Sequence, residues 1–316
     1  MAKKRLALIA GGTSDEREVS LRGATGVEKA LNPDKYEVVR YDPATDLARI
    51  AADAGAIDVA FLLLHGVNGE DGTIQGFLDL LGIPYQGAGV LGSALAMDKN
   101  LAKTMYKLHG LPVAPWVMVE PGDLADAGRI LTEVGLPCVV KPVRQGSSIG
   151  MSIVRTAEQL PVALRLALKH DNEVMVEAYI KGRELTVGVL GNQEPQALPL
   201  IEIIPNAQYE FFDYEAKYQP GATREICPAP VEDWVRERAQ QYAVTAHHAL
   251  QLRGYSRTDM ILRDDEELFV LETNTIPGMT PTSLLPQAAA EAGIPFAELL
   301  DRLIALALEK PPRMGA

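Results

Sequence analysis

An open parallel α/β domain at the N-terminus, followed by α+β organisation in the remainder, is the fold class that the sequence predicts. Strand-like runs alternate with helical ones from the start, and strands joined by helical crossovers pair in parallel. Beyond Leu111-Pro112-Val113-Ala114-Pro115 the short strands come in pairs about turns, which is the habit of antiparallel sheets. A length of 316 residues allows two domains of about 150 residues, or three smaller ones, each able to bury a core.

Taken in order, strands are predicted over residues 5–10, 37–41 and 58–64, with a helix over 19–31 between the first two. Ligands of such sheets collect at the carboxyl ends of strands. Two loops leave strands in that way: Gly11-Gly12-Thr13-Ser14-Asp15-Glu16-Arg17-Glu18 and His65-Gly66-Val67-Asn68-Gly69-Glu70-Asp71-Gly72. Gly87-Ala88-Gly89-Val90-Leu91-Gly92 matches G-x-G-x-x-G, but it lies far from the first βα turn and has no acid about 20 residues on, so it is read as the entry to a helix over 93–109. Strands 138–142 and 151–154 flank a Gly/Ser loop, and strands 173–180 and 184–190 flank Lys181-Gly182, each pair expected as a hairpin. A polar loop over 209–221, a helix over 231–252, a hairpin over 258–275 and an amphipathic helix over 296–308 complete the chain. With a boundary near residue 100, the expected units are 1–98, 99–190 and 191–316.

The net charge of −12 and a pI near 5.0 exclude nucleic acid as a partner, because a duplex demands a basic face and no Lys/Arg-rich run is present. An apolar content of 47% excludes wholesale disorder. The apolar run over 6–10 is too short for a signal-peptide core, and the run over 59–64 falls far below the ~18 residues of a membrane span, so a soluble, cytoplasmic protein is expected. Cys138 and Cys227 make no disulfide framework and are read as inert.

Three constellations carry chemistry. On a strand Glu272 and Asn274 share a face, and a hairpin centred between Asp265 and Glu266 sets Asp259 opposite Glu272. Three oxygen side chains on one face suit a hard cation such as Mg²⁺; the same alternation also fits a solvent-facing strand pair. In Lys141-Pro142-Val143-Arg144-Gln145-Gly146-Ser147-Ser148-Ile149-Gly150, an ammonium precedes a loop rich in N–H and hydroxyl donors, a set that suits phosphate, although a flexible hairpin loop would look similar. Glu177-Ala178-Tyr179-Ile180 with Glu184 fits a purine and ribose contact or, equally, a charged sheet edge. Of the five histidines only His65, at a strand end before glycines, is placed suggestively. No zinc spacing and no Gly-x-Ser-x-Gly elbow occur.

Together these motifs are more specific. Gly11 to Ser14 with Glu16 to Ser20, His65-Gly66 with Gly69 to Gly72, Met97-Asp98-Lys99, Lys141-Pro142 with Gly146 to Ser148, and Glu272 with Asn274-Thr275 and Pro277 to Thr280 follow one another in one order. Over essentially its whole length the chain resembles the D-alanine–D-alanine ligases of the ATP-grasp superfamily. The resemblance implies three domains with ATP clamped between the central and C-terminal ones, and two Mg²⁺ ions, with Mn²⁺ an alternative, on Asp259, Glu272 and Asn274. It implies that Lys99, Lys141 and Lys217 meet the phosphates, that Glu177, Tyr179 and Ile180 meet adenine, and that Glu184 meets the ribose. Ser147 belongs to a phosphate lid. It further implies that Glu16 binds the ammonium of a first D-alanine with His65 nearby, that Ser283 and Leu284 hold the carboxylate of a second, and that Arg257 and the Gly278 N–H stabilise an oxyanion.

Glu16, Ser147 and Tyr218 together resemble enzymes that use D-alanine rather than D-lactate as acceptor, so a dipeptide product is expected; the family resemblance separately implies a homodimer. Phe212 stands where relatives often carry Tyr, and Thr258 where an apolar residue is frequent, the latter expected to face away from the metals. The competing readings are another ATP-grasp carboxylate–amine ligase, which the substrate-side residues oppose, and a non-catalytic relative, which the complete set of phosphate and metal positions opposes.

Overall fold

The computed structural model describes residues 2–121, 127–206, 223–264 and 266–309. Lys217, Tyr218 and Phe212, with the whole of the polar loop expected over 209–221, lie outside those residues.

The first part of the chain runs β1 (Lys4–Ile9), α1 (Arg17–Ala30), β2 (Tyr36–Tyr41), α2 (Pro43–Asp53), β3 (Val59–Leu62), α3 (Thr73–Leu81) and α4 (Val90–Met97), and then α5 (Lys99–Leu108), which packs into the core of the third sheet. Its sheet has the order β2-β1-β3, parallel throughout as expected. Leu6, Ala7, Leu8 and Ile9 of the central strand are fully buried, as a parallel strand covered on both faces requires. Asp42 starts α2 by accepting the Ala44 N–H at 3.0 Å, with Pro43 at the first helical position.

The single helix expected over 93–109 is instead two. Asp98 ends α4 and caps α5, its carboxylate accepting from Asn100 N at 3.1 Å and Leu101 N at 3.0 Å. An aspartate satisfying two orphan N–H groups favours a new start over continuation. The break places Lys99 at the head of α5.

The second unit comprises β4 (Trp116–Val119), α6 (Ala127–Val134), β5 (Cys138–Pro142), β6 (Ser152–Val154), α7 (Leu160–Ala167) and β7 (Val174–Ala178), with sheet order β4-β7-β5-β6, all antiparallel. The hairpin expected about the Gly/Ser loop is present, with Cys138 opposite Val154. Both cysteines are free, and burial pushes both thiols up to about 11, in keeping with inert side chains.

The remainder of the chain contains β8 (Arg183–Leu190), β9 (Gln196–Ala197), β10 (Ile201–Pro205), β11 (Thr223–Ile226), α8 (Asp233–Ala249), β12 (Tyr255–Arg263), β13 (Glu267–Asn274), α9 (Leu284–Glu291) and α10 (Phe296–Leu308). Its antiparallel sheet has the order β11-β10-β8-β12-β13, with β9 on β8. The hairpin expected between 173–180 and 184–190 does not form: β7 pairs with β4 and β5, whereas β8 pairs with β10 and β12. Gly182 marks a close crossing rather than a turn, since a Cβ there would lie 2.2 Å from the Leu262 carbonyl oxygen. The chain passes at that point from one sheet to the next.

The C-terminal helix returns to the first unit. Leu299, Leu300 and Leu303 of α10 are fully buried in one cluster with Leu6, Leu8, Val27 and Phe61, each such burial contributing ~1.5–3 kcal/mol. Tyr36 Oη and Lys35 Nζ donate to Asp301 at 2.8 and 2.6 Å, fixing the helix across the sheet. Among the described residues no helix is long and apolar enough to cross a membrane.

Candidate active site

Asp259 faces Glu272 as expected, although not through one uniform register. The turn-side pairs run from Arg263 opposite Glu267 to Met260 opposite Val270, and the extra residue Leu271 then shifts the pairing by one. Such a bulge exchanges the two faces of a strand. Leu268 and Val270 point into the core, and beyond the bulge it is Thr273 that is buried, leaving Glu272 and Asn274 on the opposite face. Without the bulge Glu272 would share the core phase of Val270.

On that face Asp259 is the hub. Arg257 donates to it twice, Nε to Oδ1 at 2.9 Å and Nη2 to Oδ2 at 2.7 Å, while Thr186 Oγ1 and Asn274 Nδ2 donate at 2.5 and 3.1 Å. The paired geometry of a guanidinium and a carboxylate holds both side chains in place. Among the described residues no group of three or more His, Cys, Asp or Glu side chains forms a metal cage. The donor set Asp259, Glu272 and Asn274, two carboxylates and an amide, is nevertheless a hard-oxygen one that fits Mg²⁺ when waters and phosphate oxygens complete the shell.

Lys99, Lys141, Ser147, Glu177, Tyr179, Ile180 and Glu184 line one cavity together with Asp259 and Glu272. The cavity lies between the second and third sheets, and the Gly182 crossing runs beside it. Lys99 Nζ donates to Gln145 O at 2.5 Å and to Val143 O at 3.3 Å, so the head of α5 grips the loop that follows β5. In that loop Ser147 and Ser148 both adopt left-handed conformations, φ 49° and 59°, which cost serine ~1–3 kcal/mol each and gather at ligand clamps. Tyr179 N–H donates to Pro137 O at 3.1 Å, so any base contact from Tyr179 must use its carbonyl or its ring. Glu177 is 4% exposed and accepts from both Lys103 and Lys141. Burial alone would raise its carboxyl, but the two ammonium groups outweigh it and hold the group at about 2.

A second cavity adjoins the first and is lined by Glu16, His65, Ser147, Arg257, Asn274, Gly278, Ser283 and Leu284. Among the described residues Ser147 lines both, and its hydroxyl donates to Glu16. Burial pushes the His65 imidazole below its ordinary value, with Glu16 acting the other way and Arg257 adding to the drop. Ser283 N–H donates to Thr280 O at 2.9 Å and its Oγ accepts from Thr280 N at 3.1 Å, so the serine closes a turn at the head of α9. The Leu284 and Leu285 N–H groups that open the helix precede its first internal bond, from Gln287 N–H to Ser283 O, and suit an anion.

Three residues of this region received no role from the sequence. Glu70 lines the second cavity, where its carboxylate accepts from Gly66 N at 2.9 Å and Ile276 N at 3.3 Å and thereby ties the loop after β3 to the loop after β13. Burial first, and the charge of Glu16 second, push it up to about 8. Its place in Gly69-Glu70-Asp71-Gly72 was a visible signal. Lys103 follows Lys99 by one helical turn, which places both on one face of α5. Thr186 left no sequence signal, because only the pairing of β8 with β12 sets it opposite Asp259.

Comparison with known proteins agrees with this geometry. Residues 105–305 match the family model described as D-ala D-ala ligase C-terminus, and residues 40–88 match the one described as D-ala D-ala ligase N-terminus. A D-alanine–D-alanine ligase of Desulfotalea psychrophila is 62% identical, covering 97% of this chain and 95% of its own length. One from Syntrophobacter fumaroxidans is 58% identical, covering 97% and 98%. Among solved structures, D-alanine–D-alanine ligase from Bacillus anthracis superposes with a TM-score of 0.86 at 37% identity, covering 96% of this chain and 97% of that one. A D-Ala:D-Ser ligase from Enterococcus faecalis gives 0.85 at 32% identity, covering 97% and 100%. The chain therefore belongs to the D-alanine–D-alanine ligase family, with the ATP-grasp fold.

Proposed function

We propose that the protein joins two D-alanines into D-alanyl-D-alanine at the expense of ATP, through a D-alanyl phosphate, releasing ADP and phosphate for peptidoglycan precursor synthesis in the cytoplasm. One observation carries the reading: the phosphate-side lysines and the substrate-side residues line two adjoining cavities that meet at Ser147. Phosphoryl transfer from nucleotide to amino acid needs that adjacency. A solved relative from Bacillus anthracis, 34% identical with a TM-score of 0.82, is described as complexed with ATP.

In this reading Lys99 and Lys141, with Lys217, hold the phosphates. Glu177, Tyr179 and Ile180 hold adenine, and Glu184 holds the ribose. Asp259, Glu272 and Asn274 would hold two Mg²⁺ or Mn²⁺ ions, which supply positive charge to the transferring phosphoryl group. Glu16, kept in place by Ser147, binds the first ammonium beside His65. The first carboxylate attacks the γ-phosphorus and ADP leaves. The amine of the second D-alanine, whose carboxylate rests on Ser283 and the Leu284 N–H, then attacks the acyl carbon. Arg257 and the Gly278 N–H stabilise the tetrahedral oxyanion before phosphate departs. Tyr218 belongs to the group with Glu16 and Ser147. The units 1–98, 99–190 and 191–316 then serve substrate binding, nucleotide binding and catalysis, and the working form is a homodimer.

The test is a product assay with ATP, Mg²⁺ and D-alanine, run beside L-alanine, D-serine and D-lactate as second substrates. Stoichiometric ADP and D-alanyl-D-alanine are expected at neutral pH. Mainly a depsipeptide, a D-Ala-D-Ser product, or ADP release without a condensed product would sink the reading.

A further inference from the structure

We propose that Lys103 is a positioning residue of the nucleotide site, carrying the counter-charge of Glu177 so that the ammonium of Lys141 remains available to a polyphosphate. The inference rests on the reading of Lys141 and Glu177 given above. Lys103 Nζ bonds one carboxylate oxygen of Glu177 and Lys141 Nζ bonds the other. The two lysines differ in place. Lys141 borders the nucleotide cavity, whereas the Lys103 side chain is only 1% exposed and does not line it.

A lysine is rarely so deeply buried unless its charge is matched. Lys103 is also anchored by Trp116, whose ring centroid lies 5.2 Å from Nζ and whose Nε1 donates to Asn100 Oδ1 at 2.9 Å. Two ammonium groups and one carboxylate leave a single net positive charge, and the partner that meets the cavity is Lys141. If Lys103 is removed, Lys141 becomes the sole counter-ion of a buried carboxylate, and the pair is neutral towards an incoming anion. A deep lysine of this kind therefore acts on the ligand through another residue.

The test compares wild type, K103R, K103M, E177Q and the double variant K103M/E177Q by calorimetric titration with ATP and with inorganic tripolyphosphate, each checked by thermal melting. K103M should weaken both ligands by about tenfold, the scale set by losing one buried charge partner. K103R should remain within about threefold of wild type. The double variant should recover tripolyphosphate affinity relative to K103M, because Glu177 no longer claims Lys141. A purely structural role would lower the melting temperature while leaving affinity in the folded protein unchanged, and that result would overturn the proposal. So would a double variant that binds tripolyphosphate no better than K103M. If K103M does not fold, E177Q alone decides: tripolyphosphate affinity must match or exceed wild type, and a loss overturns the inference. Wild-type protein that binds tripolyphosphate but not ATP would overturn the adenine assignment and leave the charge argument to the variants; failure to bind either would overturn both.

Discussion

Ser147 donates its hydroxyl to the Glu16 carboxylate across 131 residues of sequence, joining the loop after β5 to the segment that opens α1. Ser147 lines both cavities and Glu16 the second, so in the proposed reading the placing of Glu16 against the first substrate's ammonium depends on the loop after β5. A hydrogen bond to a charged group contributes ~1.5–3 kcal/mol. Ser147→Ala should therefore raise the KM for D-alanine at the first site by about tenfold or more, with a smaller change in the KM for ATP. Initial rates over a matrix of the two substrates would separate these, and a change confined to the KM for ATP would place Ser147 with the nucleotide alone.

Arg257 and Asp259 form a two-point pair on the face that also carries Glu272. If Arg257 acts mainly in the transition state, Arg257→Ala should lower kcat by about 10²-fold or more, with little change in ATP affinity. Removing the guanidinium takes one donor from each oxygen of Asp259 and leaves those of Thr186 and Asn274, so half-maximal activity should need no more Mg²⁺ than in wild type. A raised Mg²⁺ requirement would instead assign Arg257 to holding the metal ligand. Glu272→Gln should show the converse, a raised Mg²⁺ requirement, and unaltered metal dependence would contradict its role as a ligand.

The sequence disclosed the chemistry of this face better than its construction. Residues two apart on a strand share a face, so Glu272 and Asn274 could be grouped at sight. The Leu271 bulge, which turns both of them away from the core, depends on how β12 and β13 fit the sheet and has no local signature. Gly182 was misread for a related reason: glycine serves turns and close crossings alike, and only the approach of Leu262 decides between them. Asp98 lies inside a stretch that is helical on both sides, and its role as a cap shows only in the N–H groups of Asn100 and Leu101 that it accepts from. The pairing of Lys103 with Glu177 joins residues 74 apart and required the fold.

Thr258 faces away from Asp259, as its position between Arg257 and Asp259 predicts, yet it is not idle. It is fully buried, and its Oγ1 lies 3.0 Å from Thr273 Oγ1, which in turn accepts from Tyr106 Oη at 2.8 Å. The hydroxyl chain pins the back of the β12–β13 pair to α5. Thr258→Val keeps the shape and removes one link, so a loss of about 1 kcal/mol is expected in urea unfolding, with kcat/KM within about twofold of wild type. A large loss of activity at unchanged stability would mean that the back of the strand pair tunes the metal face directly.

His247 gives the fold a pH dependence of known sign. It is fully buried on α8, with Nδ1 2.8 Å from Ser256 Oγ and, among the described residues, no hydrogen-bond partner for Nε2. Burial, reinforced by His248, pushes the imidazole down to about 4, so the folded state resists a proton that the unfolded chain accepts near its ordinary value of about 6.5. The resulting stabilisation is complete above about pH 6.5 and is lost progressively as pH falls towards 4. The loss amounts to roughly 3 kcal/mol at the lower end. Urea unfolding of wild type and His247→Gln at pH 7.5, 6 and 5 tests this. The variant should start less stable through poorer packing yet fall less steeply with acid; parallel profiles would show that the pH dependence arises elsewhere.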